Sequence, residues 1–481
     1  MVFLASVVSM CYLLTRASKL GRDLVSEEAI FLMPGCFLLE HHGYYFDWGV
    51  FDPRANVFSK PPLTSVLLGI FSFMGHDAVA SARLLPFLVG LLTCLIPLLV
   101  TESIVPSLLV LVSPFFYGAA SHMQTDPTVG LLGYGLACWA IARYPKSSVT
   151  THALLGAGIV ILWLGKIETA VIMTTVLATW IIWQPSGQRM RFLKSAGAST
   201  MAGLGLSVFI TWMLGHTVGL PFNESVGTVF ETVVRVTGST LNAHASTPVA
   251  GTHARRVLFQ FASDFKVPHL FLMCMIPAMI LMAKYRFLWS RDRPHALLLV
   301  AALVPVVTYM TVGYVGDGFP RYFLIAFPPL IILLGLCLQE LRPIWRFGVS
   351  LLLFAIGTGL MMPQTWQAIR SPGSPTVSPG EEGTRQAAFL TKALTRPGDL
   401  VLAPDNMAFY LEGHRWMIES SFAPYPEMRT QAIAMAGQLK AATVKIGSHE
   451  EIVDQLARTI ERSDAQIFRI GSYEVIVAER H

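Results

Sequence analysis

The chain has 481 residues, 53% of them hydrophobic and only 14% charged, with a net charge of +5 and a mean hydropathy of +0.55. Ordinary soluble domains carry about 25% charged residues. The composition therefore excludes a soluble globular enzyme, a disordered chain and a nucleic-acid reader, and it points to a polytopic α-helical membrane protein.

The first apolar run, residues 2–14, lacks the basic start and cleavage site of a signal peptide and predicts a first membrane helix. It is short against the ~20 residues that span a bilayer. Further spans are predicted at residues 83–101, 104–120, 128–142, 152–165, 169–183, 195–215, 267–283, 296–312, 322–338 and 344–362, about eleven in all. The six cysteines include no C-x-x-C pair, so neither a disulfide framework nor a zinc site is indicated.

Lysine and arginine set the orientation. Alternate short loops carry Arg143 and Lys146, then Arg189, Arg191 and Lys194, then Lys284, Arg286, Arg291 and Arg293, then Arg342 and Arg346. The opposite short loops carry only Lys166 and Arg321, so the first set is cytoplasmic. Arg16, Lys19 and Arg22 run against this rule. They either hold anionic lipid or phosphate or anchor the chain at the interface.

Parity then places the long loops 16–82 and 216–266 on the outer face, together with everything after residue 362. In a bacterium this is the periplasmic side of the inner (plasma) membrane. The chain divides into a membrane domain, 1–364, a linker rich in Ser, Pro and Gly, 365–383, and a small extracytoplasmic α/β domain, 384–481. In that domain the patterns predict strands at 399–403, 442–446, 465–470 and 473–478, and helices at 384–394 and 450–462.

The charged residues of the outer loops are the candidates for chemistry. Glu27-Glu28 follows the first helix. Adjacent acids are either a solvated helix end or a general base with a second acid that orients it, as a hydroxyl nucleophile requires. Lys60-Pro61-Pro62-Leu63 fixes a lysine at a rigid corner before a short amphipathic segment, 63–74. That lysine is either a snorkelling turn residue or a point charge for a phosphate. Arg83 stands at the mouth of the second helix.

His122 and Thr125-Asp126-Pro127 form a tight outer connection, where Thr125 or Asp126 caps the next helix. Gly165-Lys166 and Arg321-Tyr322 lie at outer helix ends, as salt-bridged anchors or as part of a cationic pocket with Lys60. Their common sidedness argues for a site, because random loop charges would fall on both faces.

The order of these motifs resembles that of the glycosyltransferase C superfamily, specifically its bacterial members that use a polyprenyl-phosphate sugar donor. These include protein-mannosyltransferase-like and aminoarabinose-transferase-like enzymes. The resemblance rests on Glu27-Glu28, Lys60-Pro61-Pro62-Leu63, Arg83, Thr125-Asp126-Pro127, Gly165-Lys166 and Arg321-Tyr322 with Pro328-Pro329, and covers about residues 1–338. The family usually has Asp where this chain has Glu27, which moves that carboxylate by about 1.5 Å, one bond length.

The resemblance implies an inverting transfer of a sugar from a polyprenyl-phosphate carrier to a lipid, glycan or protein hydroxyl. Glu27, Glu28 and Asp126 would be the catalytic acids, and Lys60, Arg83, Lys166 and Arg321 would bind the donor phosphate, with His122 and Tyr322 in support. No cofactor is called for, although two or three acids would suffice for a divalent metal. The partners are the lipid-linked donor, membrane lipid and the acceptor, with no nucleic acid. A non-catalytic scaffold or lipid-binding protein is the rival. A secondary transporter is a weaker one, since its ionisable groups belong at mid-membrane.

Overall fold

The computed structural model describes residues 1–17, 20, 24, 28–45, 62–113, 116, 122–143, 149–183, 186–227, 230, 294–311, 323–370, 383–411, 414–418, 426–446, 451–461 and 465–478. Glu27, Lys60, Arg321 and Tyr322 lie outside the described residues, as do the span expected at 267–283 and most of the loop 216–266.

The helices follow the apolar runs. In chain order they are α1 (Val2–Arg16), α2 (Glu28–Leu39), α3 (Pro62–Ser72), α4 (Ala78–Ala82), α5 (Leu84–Thr101) and α6 (Ile104–Leu111). There follow α7 (Leu131–Ala142), α8 (Val149–Gly165), α9 (Ile167–Trp183), α10 (Ser186–His216), α11 (His295–Thr311), α12 (Phe327–Glu340) and α13 (Pro343–Arg370). Among the described residues, Ala78–Thr101, Leu193–His216 and Phe323–Glu340 are each long and apolar enough to cross a membrane, and seven shorter apolar helices stand beside them. Phe323–Glu340 is central and mostly buried, whereas Leu193–His216 is peripheral.

Two elements depart from the expected pattern. The long loop expected at 16–82 contains α2, a helix with nine buried residues and Pro34 inside it. Helix α13 continues to Arg370, past the point where the linker was expected to begin.

Packing is closest where side chains vanish. A Cβ on Gly35 of α2 would lie 1.8 Å from the Ser65 carbonyl oxygen, and one on Gly69 of α3 would lie 2.4 Å from the Gly35 carbonyl carbon. These two helices touch backbone to backbone, as small residues permit in membranes. Tyr12 locks α1 onto α5 by donating its hydroxyl to the Phe87 carbonyl at 2.9 Å.

Of the three basic residues that run against the charge rule, Arg16 is described, and Lys19 and Arg22 lie outside the described residues. The Arg16 side chain is buried and donates from Nη2 to the Leu111 carbonyl at 3.1 Å, so it satisfies the end of α6 as a basic residue at a helix C-terminus does. Arg346 caps α12 similarly, donating from Nε to the Leu338 carbonyl at 2.9 Å.

The tail forms a five-stranded sheet of β1 (Leu400–Ala403), β2 (Arg415–Ile418), β3 (Leu439–Lys445), β4 (Gln466–Ile470) and β5 (Tyr473–Val477), in the order β2-β1-β3-β5-β4. Strand β1 pairs in parallel with β2 and β3, while β5 runs antiparallel to β3 and β4. Helices α14 (Thr384–Leu394), α15 (Pro426–Met435) and α16 (Glu451–Glu461) accompany the sheet. The β4–β5 hairpin closes on Gly471-Ser472, with Gly471 at φ 55°, the left-handed conformation that glycine tolerates in tight turns.

One apolar cluster continues from the helices into this sheet. The sheet also meets the helices through an ion pair, Arg385 of α14 donating to Asp77 Oδ2 at 2.8 Å and Oδ1 at 3.3 Å. Asp77 Oδ1 caps α4 as well, accepting from the Val79 and Ala80 amides at 3.1 Å each. Partial burial disfavours the charged form of Asp77, but the hydrogen bond and charge of Arg385 and the two amides outweigh it and hold the carboxyl below its ordinary value of 3.8.

A depressed carboxyl stabilises the fold fully above its unfolded-state value and loses that contribution as pH falls through the folded-state value. The stability difference between the native chain and Asp77→Asn is therefore flat across neutral pH and shrinks only below about 3.8. Thermal unfolding of both proteins from neutral to acid pH checks this; a difference that already shrinks near neutrality contradicts it.

Candidate active site

Two buried ion pairs assemble at helix ends. The first joins Glu28, in the opening turn of α2, to Arg83, at the α4–α5 junction. Arg83 Nη2 donates to Glu28 Oε2 at 2.7 Å, with the side chains 1% and 0% exposed. The other carboxylate oxygen accepts the Met123 amide at 2.9 Å, and His122 Nδ1 stands 3.8 Å from it. Glu28 thereby ties the start of α2, the start of α5 and the connection before α7.

The second pair is Asp126 with Lys166, 2.6 Å apart and both nearly buried. Its geometry comes from a local irregularity. Residues Asp126–Gly130 form a π turn ahead of α7, with the Gly130 amide donating to the Thr125 carbonyl at 2.9 Å. Pro127 sits in the first turn, where its missing N–H costs nothing. Such π turns recur at functional sites because the wider turn redirects side chains.

On the other side, α8 and α9 meet at a one-residue corner, Lys166. A Cβ on Gly165 would lie 2.2 Å from Val129 Cγ2 and 2.7 Å from its Cβ. The bare glycine lets the π turn rest on the corner and brings lysine and aspartate together.

Of the residues expected from sequence, Glu28, Arg83 and His122 converge in one cluster, Asp126 and Lys166 in a second, and the segment 122–126 belongs to both. Arg83 and Lys166, the two described residues expected to hold a donor phosphate, each contact a carboxylate. Among the described residues no group of three or more His, Cys, Asp or Glu side chains is arranged to hold a metal. Sequence reasoning passed over Asp77 and Arg385. Asp77 ahead of Ala78–Ala82 carries an N-cap signature; nothing local marks Arg385.

Removing the glycine's bare surface tests this geometry. Gly165→Ala forces Val129 to shift and should destabilise the protein by about 1–3 kcal/mol, the usual cost of overpacking. Adding Val129→Ala should recover part of that. Equal thermal stability of native and Gly165→Ala proteins would contradict the packing.

No family model and no curated protein matches the chain in sequence. Solved structures do match it in fold. The crystal structure of ArnT from Cupriavidus metallidurans bound to undecaprenyl phosphate aligns over 100% of this chain and 99% of its own, at 13% identity and a TM-score of 0.64. The apo form of that protein aligns over the same shares at 15% identity and 0.58. The arabinofuranosyltransferase AftD from Mycobacteria, solved by cryo-electron microscopy, aligns over 100% of this chain but 40% of its own, at 13% identity and 0.56. The chain thus shares its fold with ArnT along the full length of both proteins.

Proposed function

We propose that the chain is an integral-membrane glycosyltransferase that moves a sugar from a polyprenyl-phosphate carrier to a hydroxyl of a lipid, glycan or protein on the outer face of the inner membrane. One observation carries this reading. Two buried carboxylate–cation pairs occupy neighbouring connections at one end of the helices, in a fold shared end to end with a protein that holds undecaprenyl phosphate. We take the membrane domain to have about eleven spans, with the sheet domain outside.

The geometry supports a division of labour among the acids. A general base must reach the acceptor's proton within hydrogen-bond distance. Glu28 has no exposed surface and gives its oxygens to Arg83 and Met123, so it anchors the loop. The base is then Glu27, its chain neighbour, with Asp126, steadied by Lys166, orienting acceptor and sugar. Arg83 and Lys166 neutralise carboxylates, which leaves Lys60 and Arg321 for the phosphate, with Tyr322 and His122 in support.

In the reaction the acceptor oxygen gives its proton to Glu27 as it attacks the anomeric carbon opposite the phosphate. The bond from that carbon to the phosphate oxygen breaks, its electron pair leaves with the polyprenyl phosphate, and the configuration inverts. Lys60 and Arg321 stabilise the charge that develops on the leaving oxygen.

Two substitutions test this. Glu27→Gln should lower transfer by about 100-fold or more, the usual contribution of a general base, and Lys60→Met should weaken both donor binding and turnover. Transfer by purified protein in detergent is measured from undecaprenyl-phosphate mannose, glucose and aminoarabinose to extracted envelope acceptors. Full activity in both variants, with normal expression, would remove the assignment.

A further inference from the structure

The sheet domain grips the chain close to both members of the Glu28–Arg83 pair. On one side Asn406, buried between β1 and β2, donates from Nδ2 to the carbonyl of Leu24 at 3.4 Å. Leu24 is fully buried and lies four residues before Glu28. The same amide donates to the Tyr473 hydroxyl at 3.0 Å and to Thr384 Oγ1 at 3.3 Å, and those two hydroxyls lie 3.0 Å apart. Asn406 is thus fixed by β5 and α14 while it holds the backbone of the first outer loop.

On the other side Arg385, next to Thr384 on α14, holds Asp77. Asp77 caps α4, and α4 ends at Arg83, whose amide donates to the Val79 carbonyl at 3.1 Å. The guanidinium also lies over the Tyr410 ring, 5.6 Å from its centroid, so its orientation is set from within the sheet domain. The neighbouring residues Thr384 and Arg385 therefore belong to two arms, one reaching the chain before Glu28 and the other the chain before Arg83.

We propose that Asn406 and Arg385 are positioning residues: the sheet domain clasps the chain on either side of the Glu28–Arg83 pair and sets that pair, with the Met123 loop it holds, for the transfer reaction. The first half of this claim stands on contacts in the structure; the second rests on the proposed glycosyl transfer. Asp77 caps the start of the helical stretch Ala78–Thr101 in which Arg83 lies, so a tether on that cap bears on where Arg83 sits. A domain that served only to recruit a partner would have no reason to bind both approaches to one buried ion pair.

The Met123 amide reports on the arrangement, because its protection depends on Glu28 Oε1. Hydrogen exchange and steady-state transfer are measured on full-length protein in detergent for Asp77→Asn, Arg385→Gln, Arg385→Lys, Asn406→Ala and the Asp77→Asn/Arg385→Gln double variant. Asn keeps the cap on α4 and removes only the ion pair. The clasp predicts exchange at Met123 faster by about tenfold in Asp77→Asn, in Arg385→Gln and equally in the double variant, since both act through one contact. It also predicts a kcat several-fold lower with little change in donor KM, and partial recovery in Arg385→Lys.

Exchange at β1 and β3 shows whether Asn406→Ala has unfolded the sheet; Asp77→Asn lies outside it and stands as the independent variant. Native exchange at Met123 in the folded variants, or faster exchange with unaltered kcat, would overturn the proposal. Native protein that uses none of the three undecaprenyl-phosphate sugars would remove the proposed function, and with it the link to catalysis, while the exchange comparison still decides whether the clasp exists.

Discussion

The buried ion pair between Glu28 and Arg83 is the constraint on which the arrangement of the helix ends around it depends. Two charges taken from water cost several kcal/mol each unless their geometry and remaining hydrogen bonds are good. Here the geometry is good: a 2.7 Å charged hydrogen bond, a backbone amide on the second oxygen, and almost no solvent. Such a pair is weak evidence of net stability but a strong constraint on arrangement, because losing one partner leaves an uncompensated buried charge at a cost of about 3–5 kcal/mol. Segments at residues 28, 83 and 123 are thereby held to one point.

The second pair uses the same physics with different backbone chemistry. A π turn at Asp126 and a bare glycine at 165 let an aspartate and a lysine meet. Since the segment 122–126 takes part in both clusters, displacement of one is felt by the other. Neutralising each acid locally would suit the proposed phosphate-binding role, since unpaired carboxylates there would repel an anion. On this account the cations fall into two groups. Arg83 and Lys166 shape the site, while Lys60 and Arg321 are assigned to the donor.

Much of this was legible in the chain, because apolar runs are local signals. The runs beginning at Val2, Leu84 and Phe327 became helices for the reason the composition suggests, and the strands around Val401, Phe468 and Val475 follow from their β-rich, alternating patterns. The order of short motifs pointed to the fold. Less legible was α2, whose run from Ala29 to Leu39 is too short for a span and too uniformly apolar to show a periodic face. Strand β2 has only four residues, below what a pattern can establish.

The pairings were hidden for a deeper reason. Arg83 lies 55 residues from Glu28, and Arg385 lies 308 from Asp77, distances over which no local pattern carries information. A lone arginine at a helix mouth looks the same whether it awaits a phosphate or already holds a carboxylate. Arg16 illustrates the converse, a positive charge outside the expected loop pattern that is held at a helix end.

The central claim is that this chain consumes a lipid-linked sugar, and the direct measurement is the release of its carrier. Purified native protein in nanodiscs is supplied with a panel of undecaprenyl-phosphate sugars and envelope extract, and free undecaprenyl phosphate is followed by mass spectrometry. The account predicts time-dependent release from at least one donor, matched by sugar appearing on an acceptor. Binding of undecaprenyl phosphate by folded protein without turnover of any donor would contradict it and leave a lipid-binding scaffold in its place.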